Sequence, residues 1–359
     1  MKNEELKLDE ATNRNYLKET KPLVYDKVIK FKEKYERGES IAIIQLQYDY
    51  HCNMKCEHCS IRDFQKPKSA RKLTPADVAD IARQADELGL ARFVISGGEP
   101  TVFPDLKEIV EAINPQKFFI NCDSNGFLLA SRAKELKEMG IDRIQLSIDS
   151  LDEKAHDEFR RTPGAFKKAL EGIEECKRVG LGLYVQTVVT KQRLHSEEFI
   201  NFLEFFNGKG INVFVSFAKP VGAWAGNFDS MIDRDDLKFM NELEKKYKVF
   251  THLTPGYGLN MGCISVKGMI SITEYGDVLP CPYIHTSIGN VFETPLKDII
   301  QKGFSIKYFG EHIDTCLIAE DKEWVKKYVE KHIYNHELPV PCDEVFGKED
   351  ITQKPFNEE

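Results

Sequence analysis

Six short apolar runs alternate with helical stretches between residues 41 and 217, and this alternation limits the fold more than any other feature of the chain. The runs fall at 41–48, 92–96, 118–122, 143–148, 183–190 and 211–217. Between them the apolar residues recur at helical spacing. Thr74 offers an N-cap ahead of Ala79, Ile81, Ala82 and Ala85, and Gly89, Gly140 and Gly180 stand where helices should stop. Strand and helix in regular succession predict a parallel sheet with right-handed crossovers.

The loop after the first run reads H-C-N-M-K-C-E-H-C-S and sets Cys52, Cys56 and Cys59 in a Cx3CxxC spacing. Iron–sulfur and structural zinc sites ordinarily take four protein ligands. Three thiols leave one position open, which suits a ligand that comes and goes with a reaction. A zinc site completed by a distant fourth ligand is another reading of the spacing, and a redox or disulfide role is a third.

Composition narrows the partners. Lys plus Arg number 50 against 58 Asp plus Glu, and the net charge of -8 argues against a nucleic-acid substrate. No apolar run approaches the roughly 18 residues of a membrane span, and the polar N-terminus lacks the apolar core of a secretory signal. Nine cysteines in such a chain suggest a cytoplasmic protein that uses thiols for metal or redox chemistry. Residues 1–20 read as a frayed polar segment. Val24, Val28, Phe31 and Tyr35 then share a helical face that stops at Gly38, as a lid or buttress would.

The second run ends in Gly97, Gly98, Glu99 and Pro100. Glycines let backbone approach a small ligand, and a carboxylate beside them accepts from an ammonium. Together with Cx3CxxC one strand earlier, this motif resembles the radical S-adenosylmethionine (SAM) superfamily, in which three cysteines hold a [4Fe-4S] cluster and SAM chelates the fourth iron. The resemblance implies reductive cleavage of SAM to a 5′-deoxyadenosyl radical that takes a hydrogen atom from substrate. It also implies a flavodoxin- or ferredoxin-type reductant and a partial (β/α)6 TIM-like barrel with its chemistry at the C-terminal ends of the strands. Carried onto this sequence, it makes Cys52, Cys56 and Cys59 the cluster ligands, and Gly97, Gly98, Glu99 and Pro100 the motif on the SAM amino group. Ser147 would face the SAM carboxylate, with Arg160 as the carboxylate-binding arginine and Arg161 as runner-up. His58 would lie near adenine, and Asn125, Gln186 and Thr187 would touch the ribose. Cys122 and Cys176 read as small buried apolar residues without a role.

The last third holds Cys263, Cys281, Cys316 and Cys342. Cys263 and Cys281 enclose Gly276 between two β-like runs, which predicts a hairpin. The pattern C-x12-G-x4-C resembles the opening of the SPASM and twitch extensions, although the dense cysteine run of a full SPASM domain is missing. The resemblance implies one auxiliary [4Fe-4S] cluster in a small α+β domain, fully ligated by these four cysteines; zinc on the same thiolates is the competing reading. The expected domains are therefore an N-terminal extension over 1–40, the barrel over 41–218, a linker and bridging helix over 219–250, and the auxiliary domain over 251–359. The expected activity is oxidation of a small molecule, or crosslinking, thioether formation or epimerisation of a ribosomal peptide. A non-catalytic iron–sulfur or zinc protein, acting as a relay or scaffold, is the alternative.

Overall fold

The computed structural model describes residues 14–64 and 69–352. Its centre is a sheet of parallel strands: β1 (Ile43–Asp49), β2 (Arg92–Gly97), β3 (Phe119–Ser124), β4 (Arg143–Ser147), β5 (Gly182–Val189) and β6 (Val213–Phe217), paired in that order. These are the six expected strands, displaced by a residue or two at their ends. A two-residue strand absent from the sequence reading, β7 (Val249–Phe250), pairs parallel with β6. Helices including Pro75–Glu87, Leu129–Met139 and Ala165–Val179 cross between the strands. Thr74 caps the first of these with a reciprocal capping box to Asp77, and Gly140 and Gly180 end the other two in the left-handed conformation. The sheet does not close, so this is a partial barrel.

Strand alternation sorts the side chains into two sets. Ile44, Leu46, Ile95, Ile144, Leu146 and Val185 enter the core beneath the helices. The opposite parity points inward, and there the residues are polar: Gln45, Ser96, Asp123, Ser147, Gln186 and Ser216 line a cavity of about 620 Å³. Closed parallel barrels fill this space with branched apolar side chains. Here the interior is built to hold something polar.

The C-terminal segment continues the same sheet. β8 (Met269–Ile272) pairs parallel with β1, β9 (Asp277–Leu279) returns antiparallel to β8, and β11 (Gly289–Asn290) extends β9, after the short strand β10 (Thr286–Ser287). The expected hairpin around Gly276 is thus present, welded to the edge of the barrel. Residues 219–233, expected to be a linker, instead pack on the cysteine loop: the Ala223 amide donates to the Cys59 carbonyl at 2.9 Å. Gly222 has φ 57°, and a Cβ there would run into the Cys59 and Ser60 carbonyls.

The N-terminal expectation over residues 1–20 falls mostly outside the described residues. The face of Val24, Val28 and Phe31 is carried by two short helices, Pro22–Val28 and Phe31–Glu36, rather than one. It packs with Ala91, Phe119 and Leu259 below the strand starts, and Lys21 pairs with Asp142 beside β4. The segment is a buttress at the far end from the cavity mouth. Phe31→Ala is expected to lower stability by about 3 kcal/mol, the usual cost of emptying a buried ring site, while leaving SAM affinity unchanged; denaturant midpoints and equilibrium dialysis check the two halves.

Candidate functional site

The site begins where β1 ends. The Gly98 amide donates to the Asp49 carbonyl at 2.8 Å and the Glu99 amide to that of His51 at 2.9 Å, so the glycine loop after β2 is stitched to the base of the cysteine loop. Gly97 has φ 117°, and a Cβ on Gly98 would collide with the His51 carbonyl. Glycine is required there for this close approach of two backbones.

Cys52, Cys56 and Cys59 line the cavity with Met54, His58, Gly97, Gly98, Ser147 and Arg160. Each thiol has a donor aimed at it: the Met54 amide reaches Cys52 Sγ at 3.4 Å, Arg160 Nη1 reaches Cys56 Sγ at 3.7 Å, and the Ile61 and Arg62 amides serve Cys59. Such donors fit thiolates that carry the charge of an iron–sulfur cluster. Among the described residues no three His, Cys, Asp or Glu side chains converge on a point fit for one metal ion.

Arg160 is buried, and its Nε donates to Asp149 Oδ2 at 2.7 Å. Burial works to raise the Asp149 pKa, but the Arg160 guanidinium outweighs it and brings the carboxyl down to about 2. The arginine expected to bind a carboxylate is therefore held behind Cys56 by an internal one. Arg161 also lines the cavity. His58 stacks on Phe159 with ring centres 4.5 Å apart, and burial, with Arg160 nearby, lowers its pKa to about 4, leaving a neutral ring.

Several expected contacts turn out differently. Glu99 lies on the cavity, but its oxygens accept from Thr101 Oγ1 at 2.6 Å, Ser124 Oγ at 2.9 Å, the Asn125 amide at 2.6 Å and the Thr101 amide at 3.2 Å. It holds the loop together, taking three of these bonds on Oε1 and one, from the Asn125 amide, on Oε2. Asn125 Nδ2 donates to Asn53 Oδ1 at 2.7 Å and so braces the cysteine loop. Pro100 is buried at the start of a turn behind the motif. Gln186 lines the cavity, where its amide meets Gln145, whereas Thr187, one residue along β5, faces outward and takes Arg193 Nη1 at 2.5 Å. Adjacent strand residues cannot share a face, so the paired assignment of Gln186 and Thr187 is corrected.

The C-terminal cysteines divide three to one. Cys263, Cys281 and Cys316 are buried within electrostatic reach of one another, and Ser265 Oγ lies 3.3 Å from Cys263 Sγ. Cys342 stands apart on the helix Cys342–Val345, its thiol 3.7 Å from Asp343 Oδ1 and beside Lys302. Val340 and Pro341, just before it, pair with β10, and its electrostatic neighbours are Lys302 and Asp343 rather than the trio, unlike the expected four converging thiols. Sequence reasoning also missed Lys219 and Tyr283. Lys219 Nζ donates to Ser216 Oγ at 3.0 Å and the Phe217 carbonyl at 2.6 Å, lies 4.1 Å from the centre of the Tyr283 ring, and is within reach of Cys281 and Cys316. Both residues line the cavity and have Cys281 and Cys316 as electrostatic neighbours, so they lie between it and the trio.

A partial parallel barrel with a three-thiol loop, a glycine clamp and a second thiol group defines an iron–sulfur protein with a ligand cavity. The chain belongs to the radical SAM superfamily: that family's model matches residues 49–206, and the SPASM iron–sulfur cluster-binding domain matches 263–320, which includes Cys263, Cys281 and Cys316 but not Cys342. The chain is similar to an AdoMet-dependent heme synthase from Nitratidesulfovibrio vulgaris, at 26% identity over 72% of this chain and 78% of the relative. It is similar also to a GTP 3′,8-cyclase from Alkaliphilus oremlandii, at 31% identity over 63% of this chain and 72% of the relative. In fold it resembles SuiB from Streptococcus suis bound to its precursor peptide SuiA, with a TM-score of 0.60 and 21% identity, across 75% of this chain and 66% of SuiB. Membership implies a [4Fe-4S] cluster with SAM, and iron–sulfur in the SPASM domain. No helix among the described residues is long and apolar enough to cross a membrane.

Asp149→Asn should cost about 3–5 kcal/mol, because it leaves the Arg160 charge buried and unpaired, and Arg160→Met in the same chain should recover most of the loss. Denaturant midpoints of both single variants and the double variant test this.

Proposed function

We propose that the chain oxidises a substrate held between two iron–sulfur sites: Cys52, Cys56 and Cys59 would hold the cluster that takes SAM, and Cys263, Cys281 and Cys316 one auxiliary [4Fe-4S] cluster. When bound, these groups supply one-electron cleavage of SAM, a hydrogen-abstracting radical and an auxiliary redox centre. The observation that carries the reading is that one cavity touches the cysteine loop on one side and, through Lys219 and Tyr283, adjoins the C-terminal trio on the other.

The chain's own residues bind, orient and exclude water. The Asp49–Gly98 and His51–Glu99 backbone bonds fix the cysteine loop against the glycine loop, and Asn125 fixes it from β3 through Asn53. Ser147 offers a hydroxyl from the end of β4, and Arg160 lends positive charge to the back of Cys56. Phe64, Phe217, Val221 and Trp224 wall the cavity against solvent. Lys219 places a buried cation beside Cys281 and Cys316, which favours negative charge there. Three thiols leave one position on the auxiliary site for a further ligand.

The molecule oxidised is a small molecule or a peptide segment. The cavity volume of about 620 Å³ suits either a metabolite or one or two residues of a peptide. The peptide reading draws on structures whose titles name peptides, SuiB with SuiA and anSMEcpe with peptide substrates, and these are likenesses of fold. Nine free cysteines fit a reducing, cytoplasmic setting and a flavodoxin- or ferredoxin-type donor.

Anaerobic iron and sulfide analysis tests the arrangement. Wild type should bind about eight irons, and triple alanine variants at 52/56/59 or at 263/281/316 about four each. Only the first variant should abolish 5′-deoxyadenosine formation from SAM under dithionite, and Cys342→Ala should keep the full complement. About four irons in wild type, or loss of a cluster in Cys342→Ala, contradicts it.

A further inference from the structure

Two lysines are buried near the C-terminal trio without a carboxylate to pair with: Lys219 is 7% exposed and Lys267 0%. Among the described residues neither makes an ion pair. Lys219 stands just past the end of β6, where the Ser216 hydroxyl and the Phe217 carbonyl meet its donors, and Cys281 and Cys316 are its electrostatic neighbours. Lys267 stands just before β8 and donates to the carbonyls of Phe309 at 3.0 Å and Glu311 at 2.8 Å. Its turn is closed by the Gly268 and Met269 amides on the Ile264 carbonyl, which keeps Lys267 near Cys263; the exposed Glu311 carboxylate is its other acidic neighbour.

Carbonyl and hydroxyl oxygens satisfy the donors of an ammonium but leave its charge, and an uncompensated buried charge is costly. Beside the trio, thiolates are the groups placed to compensate it. The site at Cys52, Cys56 and Cys59 is the opposite case. Its buried cation, Arg160, is already neutralised by Asp149 at 2.7 Å, and the Glu99 carboxyl is an electrostatic neighbour of Cys52. The carboxylate beside Cys316, that of Glu320, accepts from the Cys316 amide at 3.2 Å and is itself paired with Arg234 at 3.7 Å. The two thiol groups therefore lie in unlike fields, with surplus positive charge at the second alone.

We propose that Lys219 and Lys267 make the auxiliary centre the more readily reduced of the two, so that the electron given up by the substrate comes to rest there. The assignment rests on the reading of Cys263, Cys281 and Cys316 as cluster ligands. Net charge around a cluster helps to set its potential, and a buried ammonium favours the form that carries the extra electron. The step moves one electron: the auxiliary centre passes from [4Fe-4S]2+ to [4Fe-4S]+, and the substrate radical left by hydrogen abstraction loses that electron together with a proton to solvent. Lys267 also caps the end of the helix Lys307–Gly310. Lost stability would follow from either role, whereas a shifted potential follows from the charge.

The test is a redox titration of the reconstituted holoenzyme followed by electron paramagnetic resonance. The signal lost in the 52/56/59 triple alanine variant belongs to the SAM site, and the other to the auxiliary centre. In wild type the auxiliary signal should develop first as the potential falls. Lys219→Met and Lys267→Met should each lower the auxiliary midpoint by at least a tenfold change in the reduced-to-oxidised ratio, about 59 mV for one electron, and Lys219→Arg should largely preserve it. An auxiliary midpoint below that of the SAM site in wild type, or one that either methionine variant leaves in place, overturns the proposal. The wild-type order decides the matter even if a variant fails to fold. About four irons and a single signal in wild type would remove the auxiliary cluster itself, which separates failure of that reading from failure of the lysines to tune it.

Discussion

The contact on which the site depends is between the ends of β1 and β2. Two backbone hydrogen bonds, from Gly98 to Asp49 and from Glu99 to His51, hold the glycine loop against the start of the cysteine loop. They form because parallel pairing brings both strand ends to the same edge of the sheet, and because Gly98 has no Cβ to strike the His51 carbonyl. Cysteine loop, glycine loop and cavity mouth are therefore set by one register. Asn125 and the 219–224 segment then clamp the same loop from two further directions.

The second organising feature is a polar barrel interior. Parallel sheets bury both faces, and an interior of Gln, Ser and Asp gives up apolar burial that branched side chains would provide. The core beneath the helices and the welded C-terminal hairpin carry the stability instead. This division lets the inner residues serve a ligand.

Much of this was legible in the sequence, and what was not has physical reasons. Apolar runs, capping residues and stop glycines are local signals, so six strands and the hairpin around Gly276 were read correctly, while two-residue β7 was too short to leave a pattern. The cysteine and glycine motifs marked the cavity because each is contiguous in sequence. Thr187 was misplaced through neglect of strand alternation, a rule the sequence did supply. The place of Cys342 was not legible because ligand count says nothing about where a chain turns. Residues 219–233 look like a linker in composition, and their packing on Cys59 depends on tertiary contacts that composition does not encode. Lys219, Tyr283 and Asp149, the partner of Arg160, left no signal distinct from ordinary charged and aromatic residues.

The central claim is that two iron–sulfur sites share one cavity and that only the N-terminal one takes SAM. Electron paramagnetic resonance of the dithionite-reduced protein, recorded before and after addition of SAM, tests it most directly. The account predicts two [4Fe-4S] signals, of which one shifts with SAM and disappears when Cys52, Cys56 and Cys59 are replaced by alanine. A single signal, or a pair that SAM leaves unchanged, would contradict it.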